Sequence, residues 1–272
     1  MRKRNNECIG RREVLALLGA GALLARPAMA QGSLQFGSLD HIEFFVSDLQ
    51  RSLAFYTRVF DSELWKNNQT PRRYLTMGSG YVAIEERDQI RVDHFCAGIE
   101  GFDIDQVHRS LEAQDVGYRD YPSGRDLSID DVDGIRTQLA ADNSWIQLSE
   151  STASPESWTT DVDPIFRPTG LDHILLNVSD LQSARTFYEK FLGLATSRDG
   201  QFWFDIGASA IGLATVPQGQ EPGVDHFAIR AESFDYDDVT RRLRQASIPT
   251  VPSEQDGSPM FTDPDGLRIQ VL

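Results

Sequence analysis

Four of the five histidines follow an aspartate, at Asp40-His41, Asp93-His94, Asp172-His173 and Asp225-His226. Each pair comes after a branched apolar residue (Leu39, Val92, Leu171, Val224) and opens a run that reads as a strand. A single strand histidine is more often a core or rim residue than a ligand. Four at equivalent places shift that balance, because imidazole is the commonest transition-metal ligand and the side chain that titrates closest to neutrality. Strand alternation puts Glu43 and Phe45 on the face of His41. The aspartates fall on the opposite face by the same alternation, in supporting rather than ligating roles. The fifth histidine, His108, lies in a predicted helix and reads as a surface residue.

The elements that must position these residues repeat along the chain. LDHIEFFVSDLQRSLAFYTRVF from Leu39 and LDHILLNVSDLQSARTFYEKFLG from Leu171 share Leu-Asp-His-Ile, Val-Ser-Asp-Leu-Gln and Phe-Tyr at identical offsets. Each predicts a strand followed by an amphipathic helix, with Ser47-Asp48 or Ser179-Asp180 supplying N-cap oxygens. Three short strands come next, near 62–66, 73–77 and 81–85 in the first unit and near 195–198, 202–206 and 210–215 in the third. The second and fourth units open with VDHF at Val92 and Val224, continue through Phe-Asp-x-Asp-x-Val to a helix, and end on predicted strands 144–148 and 267–271. Asp263-Pro264-Asp265-Gly266 makes the turn into the last of these, and Ala140-Ala141-Asp142-Asn143 is its expected counterpart. The fold class is therefore α+β, with four βαβββ modules paired into two half-barrel domains, 31–150 and 169–272. Residues 151–168, rich in Ser, Thr, Pro and Asp, form the linker, with Trp158 and Ile165-Phe166 lying against a domain.

An apolar fraction of 40% with 10% aromatics is that of a globular protein. Residues 1–30 have a basic start, an apolar stretch from Val14 to Ala25 too short to span a bilayer, and an Ala28-Met29-Ala30 ending, the pattern of a cleavable export signal. Arg11-Arg12 with Glu13-Val14-Leu15 resembles the twin-arginine signal, although Gly10 and Val14 replace the usual Ser/Thr and Phe. That resemblance implies a periplasmic protein. Cleavage there removes six basic and two acidic residues and moves the net charge from −15 to −19. Such a chain repels nucleic acid and anionic membranes, and its mature part is not expected to insert in a membrane. Cys8 leaves with the signal and Cys96 remains alone, so no disulfide framework forms.

Paired βαβββ units, first-strand histidines, the helix carrying Phe-Tyr and the Asp-Pro-Asp-Gly turn together resemble the vicinal oxygen chelate superfamily, which includes glyoxalase I, extradiol dioxygenases and bleomycin-resistance proteins. The resemblance covers the mature chain. It implies a divalent metal (Fe, Mn, Zn or Ni) held by two first-strand residues and one on a last strand, acting on a small substrate with vicinal oxygens. Carried over, the ligands are His41, His94 and Gln147 in the first half and His173, His226 and Gln270 in the second. Glutamine stands in both halves where metal-dependent relatives most often have glutamate. The site thus loses an anionic anchor and a proton carrier, which Glu43 or Glu85 could supply in the first half and Leu175 could not in the second. The expected function is a metal-dependent, dioxygenase- or glyoxalase-like lyase or isomerase; the alternative is a non-catalytic binding protein of the bleomycin-resistance type. A family prone to exchanging units also leaves a homodimer open.

Overall fold

The computed structural model describes residues 34–158, 163–253 and 257–272. The expected export signal lies outside them. The first unit runs β1 (Phe36–Val46), α1 (Leu49–Val59), β2 (Leu64–Asn67), β3 (Arg73–Met77) and β4 (Gly80–Glu86). The second runs β5 (Arg91–Ile99), α2 (Ile104–Ala113), β6 (Arg119–Asp120), β7 (Asp126–Asp130) and β8 (Arg136–Ala141), followed by α3 (Trp145–Ser151) and β9 (Ala153–Pro155). The third comprises β10 (Pro168–Val178), α4 (Leu181–Leu192), β11 (Thr196–Arg198), β12 (Gln201–Ile206) and β13 (Ser209–Thr215). The fourth comprises β14 (Gly223–Ala231), α5 (Tyr236–Gln245), β15 (Val251–Pro252), β16 (Pro259–Thr262) and β17 (Arg268–Val271). Units one and two share one sheet, in the order β6-β7-β8-β5-β1-β4-β3-β2-β9, and units three and four share a second, β11-β12-β13-β10-β14-β17-β16-β15. Each half-barrel closes within its own half of the chain.

Two expectations need correction. The last strand of the second unit is Arg136–Ala141 rather than 144–148, and the latter stretch is helical. The turn leading into it is Asp131-Val132-Asp133-Gly134, with Gly134 at φ +78° and a Gly134 N–H bond to Asp131 O of 3.0 Å. That composition matches Asp263–Gly266 better than 140–143 does. The predicted linker also contributes a strand, β9, which pairs with β2; Ile165 and Phe166 are buried as expected, the Phe166 ring lying 5.9 Å from that of Phe60 and 6.4 Å from that of Phe261.

The face each strand residue presents is set by bulges as well as alternation. Ile42, Phe44 and Val46 are fully buried in the core, and Leu39 joins them although its parity is that of His41. The β1–β5 ladder passes from Leu39↔Ala97 to His41↔Cys96, leaving Asp40 as the extra residue, and from Glu43↔His94 to Phe44↔Val92, skipping Asp93. The β10–β14 ladder skips Asp172 and Asp225 in the same way. All four aspartates therefore occupy bulges, and a bulge reverses the face of the strand residues beyond it.

The two halves grip each other reciprocally. Ser47 N–H and Oγ donate to Asp265, and Ser179 N–H and Oγ donate to Asp133. The buried Tyr56 hydroxyl donates to Asp263 Oδ2 at 3.1 Å, and the Tyr188 hydroxyl to Asp131 Oδ2 at 3.0 Å. Burial pushes both tyrosines well up and raises both aspartates. Gly78 (φ +67°) and Gly207 (φ +61°) complete the symmetry: a Cβ on the first would lie 2.1 Å from the Thr169 backbone, and on the second 1.7 Å from Gly37 O. Only glycine satisfies both the conformation and the approach.

Candidate functional site

In the first half, β1 and β5 bring His41 Nε2 and His94 Nε2 to 3.2 Å, with both rings buried. Register explains the third member. At one level across the sheet lie Gln138 on β8, Cys96 on β5, His41 on β1 and Tyr81 on β4. Gln138 Oε1 reaches over Cys96 to within 2.9 Å of His41 Nε2. Gln147, expected in that position, instead sits on α3 as an exposed residue at the cavity rim. The signal for Gln138 was in the sequence: Asp131-x-Asp-Gly-Ile-Arg-x-Gln138 matches Asp263-x-Asp-Gly-Leu-Arg-x-Gln270 at the 132-residue offset that also separates His41 from His173.

The bulged aspartates fix the imidazole tautomers. Asp40 Oδ2 lies 2.8 Å from His41 Nδ1, and Asp93 Oδ2 lies 3.1 Å from His94 Nδ1. A carboxylate only accepts, so each Nδ1 carries the hydrogen, and in the neutral imidazole each Nε2 is then left as a lone pair. Asp40 is itself held by the Ser144 N–H at 2.7 Å and by Ser144 Oγ. The His94 bond draws the Asp93 carboxyl far below its usual range, with Arg91 and Arg136 adding to it. The supporting role read from sequence is what these contacts describe, although the bulges rather than simple alternation place the carboxylates.

Three acceptors, two imidazole nitrogens and one amide oxygen, thus converge with no donor among them. Such a cluster is electrostatically incomplete without a cation. The Nε2 separation suits two ligands each about 2.0–2.1 Å from one ion. Asp40, His41 and Cys96 also bring ligand-type atoms within 4.8 Å of one another. Burial and the neighbouring Asp40 push the Cys96 thiol well up.

The cavity around this cluster has a volume of about 450 Å³. Glu43 is buried in its wall, with Oε2 3.8 Å from His94 Nε2 and Oε1 2.7 Å from Arg72 Nη2. Burial raises its carboxyl, against the pull of His94, Arg72 and His41. Arg72 also reaches Glu85 Oε2 at 3.2 Å, and Arg87 pairs with the other Glu85 oxygen. Tyr81 stacks on the His41 ring at 4.6 Å, and Tyr74 packs edge-on to Tyr81. Sequence reasoning missed Arg72, Tyr81 and Asp126, whose Oδ2 accepts from Gln138 Nε2 at 2.5 Å.

The second half repeats the scaffold. His173 Nε2 and His226 Nε2 are 3.1 Å apart, their Nδ1 atoms 2.8 Å from Asp172 Oδ1 and 2.7 Å from Asp225 Oδ2. Arg230 and Arg268 hold those two carboxylates. Gln270, fully buried, occupies the Gln138 position in the row Gln270, Ala228, His173, Ala210, and its Nε2 donates to Ser258 Oγ at 2.5 Å. Trp203 stands edge-on to His173 at 5.3 Å, and Leu175 replaces Glu43 opposite His226. Burial, reinforced by His173 and opposed by Asp225, lowers the His226 pKa. His108 is indeed peripheral, stacked on Tyr118 with Nε2 2.7 Å from Asp120.

The family model described as Glyoxalase/Bleomycin resistance protein/Dioxygenase superfamily matches residues 38–95 and 170–271. The glutathione transferase FosA of Serratia marcescens is 29% identical over 113 residues, covering 37% of this chain and 78% of that protein. Among solved structures, the 2,3-dioxygenase LapB from Pseudomonas sp. KL28 superposes with a TM-score of 0.68 at 16% identity, covering 88% of this chain and 93% of that one. The Mn(II)-bound glyoxalase from Novosphingobium aromaticivorans does so with a TM-score of 0.66 at 17% identity, covering 88% and 82%.

Proposed function

The chain belongs to the glyoxalase/bleomycin resistance protein/dioxygenase superfamily, and from that premise we propose that its N-terminal half is a divalent-metal enzyme site for a small substrate with two adjacent oxygens. The observation that carries this reading is the convergence of His41 Nε2, His94 Nε2 and Gln138 Oε1, which are all acceptors when the imidazoles are neutral. A divalent ion held there supplies Lewis acidity toward the substrate oxygens. Asp40 and Asp93 keep both imidazoles turned toward that point, and Tyr81 holds the His41 ring in plane. Glu43, poised beside His94 with its carboxyl raised by burial, takes a proton from the substrate and returns it to a neighbouring atom. Arg72 anchors the other Glu43 oxygen, so the proton-carrying oxygen faces the cavity. With a neutral amide as third ligand and a buried carboxylate nearby, isomerase or lyase chemistry of the glyoxalase kind is favoured over ring-cleaving oxygenation.

Leu175 opposite His226, and Ala214 where the first half has Glu85, favour a second reading for the C-terminal half. It keeps the histidine pair without a proton carrier, which suits binding without chemistry. Export through the twin-arginine-like amino terminus belongs to the same proposal and predicts a processed protein in the periplasmic fraction.

Elemental analysis of purified protein tests the proposal. One or two equivalents of Fe, Mn, Zn or Ni are expected, the Mn(II) of the solved glyoxalase making manganese the first ion to load. One equivalent should disappear in His41→Ala/His94→Ala, together with turnover of 2-oxoaldehydes or catechols. Protein that stays metal-free when offered these ions, with ligand binding indifferent to chelators, would overturn it.

A further inference from the structure

We infer that Asp126 is the positioning residue that makes Gln138 a metal ligand, and that it supplies one amide away the negative charge a glutamate at 138 would have carried. The inference rests on the metal reading of the N-terminal half. A glutamine side chain has one accepting oxygen and one doubly donating nitrogen, exchanged by a half-turn about its last bond. Asp126 decides between them. Its Oδ2 accepts from Gln138 Nε2 at 2.5 Å, and the reversed amide would set two oxygens against each other. Oε1 is thereby fixed 2.9 Å from His41 Nε2, among the ligand atoms. Because the acceptor is charged, the bond also polarises the amide and increases the negative charge on its carbonyl oxygen. Asp126 is itself oriented by the Ser123 hydroxyl.

The other half provides the natural comparison. Ser258 stands where the first half has Asp126, again at the 132-residue offset, and accepts from Gln270 Nε2 at 2.5 Å. A hydroxyl both donates and accepts, so it tolerates either amide orientation, and it brings no charge. Gln138 thus faces a charged acceptor at the position where Gln270 faces a neutral hydroxyl.

The test uses Co(II) as the probe ion, with its visible absorption and a competing chelator to give affinity. The N-terminal site is read in a His173→Ala/His226→Ala background and the C-terminal site in a His41→Ala/His94→Ala background. Asp126→Ser should weaken Co(II) binding by the first site about 10- to 100-fold, the range found for partners that orient metal ligands. Ser258→Asp should strengthen the second, and Asp126→Asn, which keeps an accepting oxygen without the charge, should fall between wild type and Asp126→Ser. Thermal unfolding in chelator checks that each variant is folded. If Asp126→Ser does not fold, the gain expected from Ser258→Asp decides, since it adds a group at an intact site. Co(II) binding with both affinities unmoved overturns the inference alone. No Co(II) binding by either unsubstituted site overturns the metal reading itself.

Discussion

The two half-barrels hold the same histidine pair and line it with different walls. Both place imidazole nitrogens 3.1–3.2 Å apart and back each ring with an aspartate from a bulge. Around the first lie Glu43, Glu85, Tyr81 and Asp126; at the matching positions of the second lie Leu175, Ala214, Ala210 and Ser258. The histidine scaffold is set by strand register and bulges, which any change of fold would destroy. On the proposed reading, metal affinity and chemistry are separable here, since the first wall holds the buried carboxylate of Glu43 where the second holds Leu175.

The comparison breaks most visibly at the ligands. His41→Ala/His94→Ala should remove one equivalent of bound metal and all turnover, whereas His173→Ala/His226→Ala should remove metal, where bound, and leave turnover intact; elemental analysis paired with an activity assay separates the two. Next, Glu43→Leu gives the first wall the residue of the second. Turnover should drop about 10²- to 10⁴-fold, the usual contribution of a positioned acid/base group, with the histidine ligands still loaded. A variant that turns over normally would show that the walls do not distinguish the halves as argued. The reciprocal clamps sharpen the comparison from the opposite direction, since there the halves match. Tyr56→Phe and Tyr188→Phe each strip a buried aspartate of one donor and should cost similar amounts, about 1–3 kcal/mol by denaturant unfolding.

The smallest effect concerns pH. Burial lowers the His226 pKa below its ordinary value near 6.5, so the folded chain resists the proton that the unfolded chain accepts. Its contribution to stability is complete above about pH 6.5 and is lost as pH falls through the lower, folded value. Metal-free protein should therefore melt at decreasing temperatures below pH 6.5, and His226→Gln should flatten that part of the profile. A steeper profile in the variant would contradict the assignment.

The repeat made most of the fold legible, because Leu-Asp-His-Ile and Phe-Tyr recur at fixed offsets and each unit carries its own helix cap and turns. Four of the six expected ligands are the histidines that meet in pairs, and Gln270 lies on its expected strand. Gln147 failed because Ser144–Leu148 is apolar enough to resemble a strand, whereas Asp131–Gly134 lacks the proline that made its partner turn obvious. The Asp-His contacts were beyond strict alternation, since a bulge is a property of the pair of strands and not of either sequence. Arg72 and Asp126 were invisible for a related reason. Asp126 opens β7 and Arg72 directly precedes β3, and both come near the histidines only once the sheet has assembled.

The reciprocal grip of Ser47 and Tyr56 on Asp265 and Asp263, and of Ser179 and Tyr188 on Asp133 and Asp131, is an isologous interface folded into a single polypeptide. In a dimer of identical subunits every substitution appears twice, so a residue suited to one site must be tolerated in the other. A single polypeptide lifts that requirement. This chain keeps the packing of a symmetric pair while each half carries its own residues, so the first cavity holds Glu43 where the second half has Leu175.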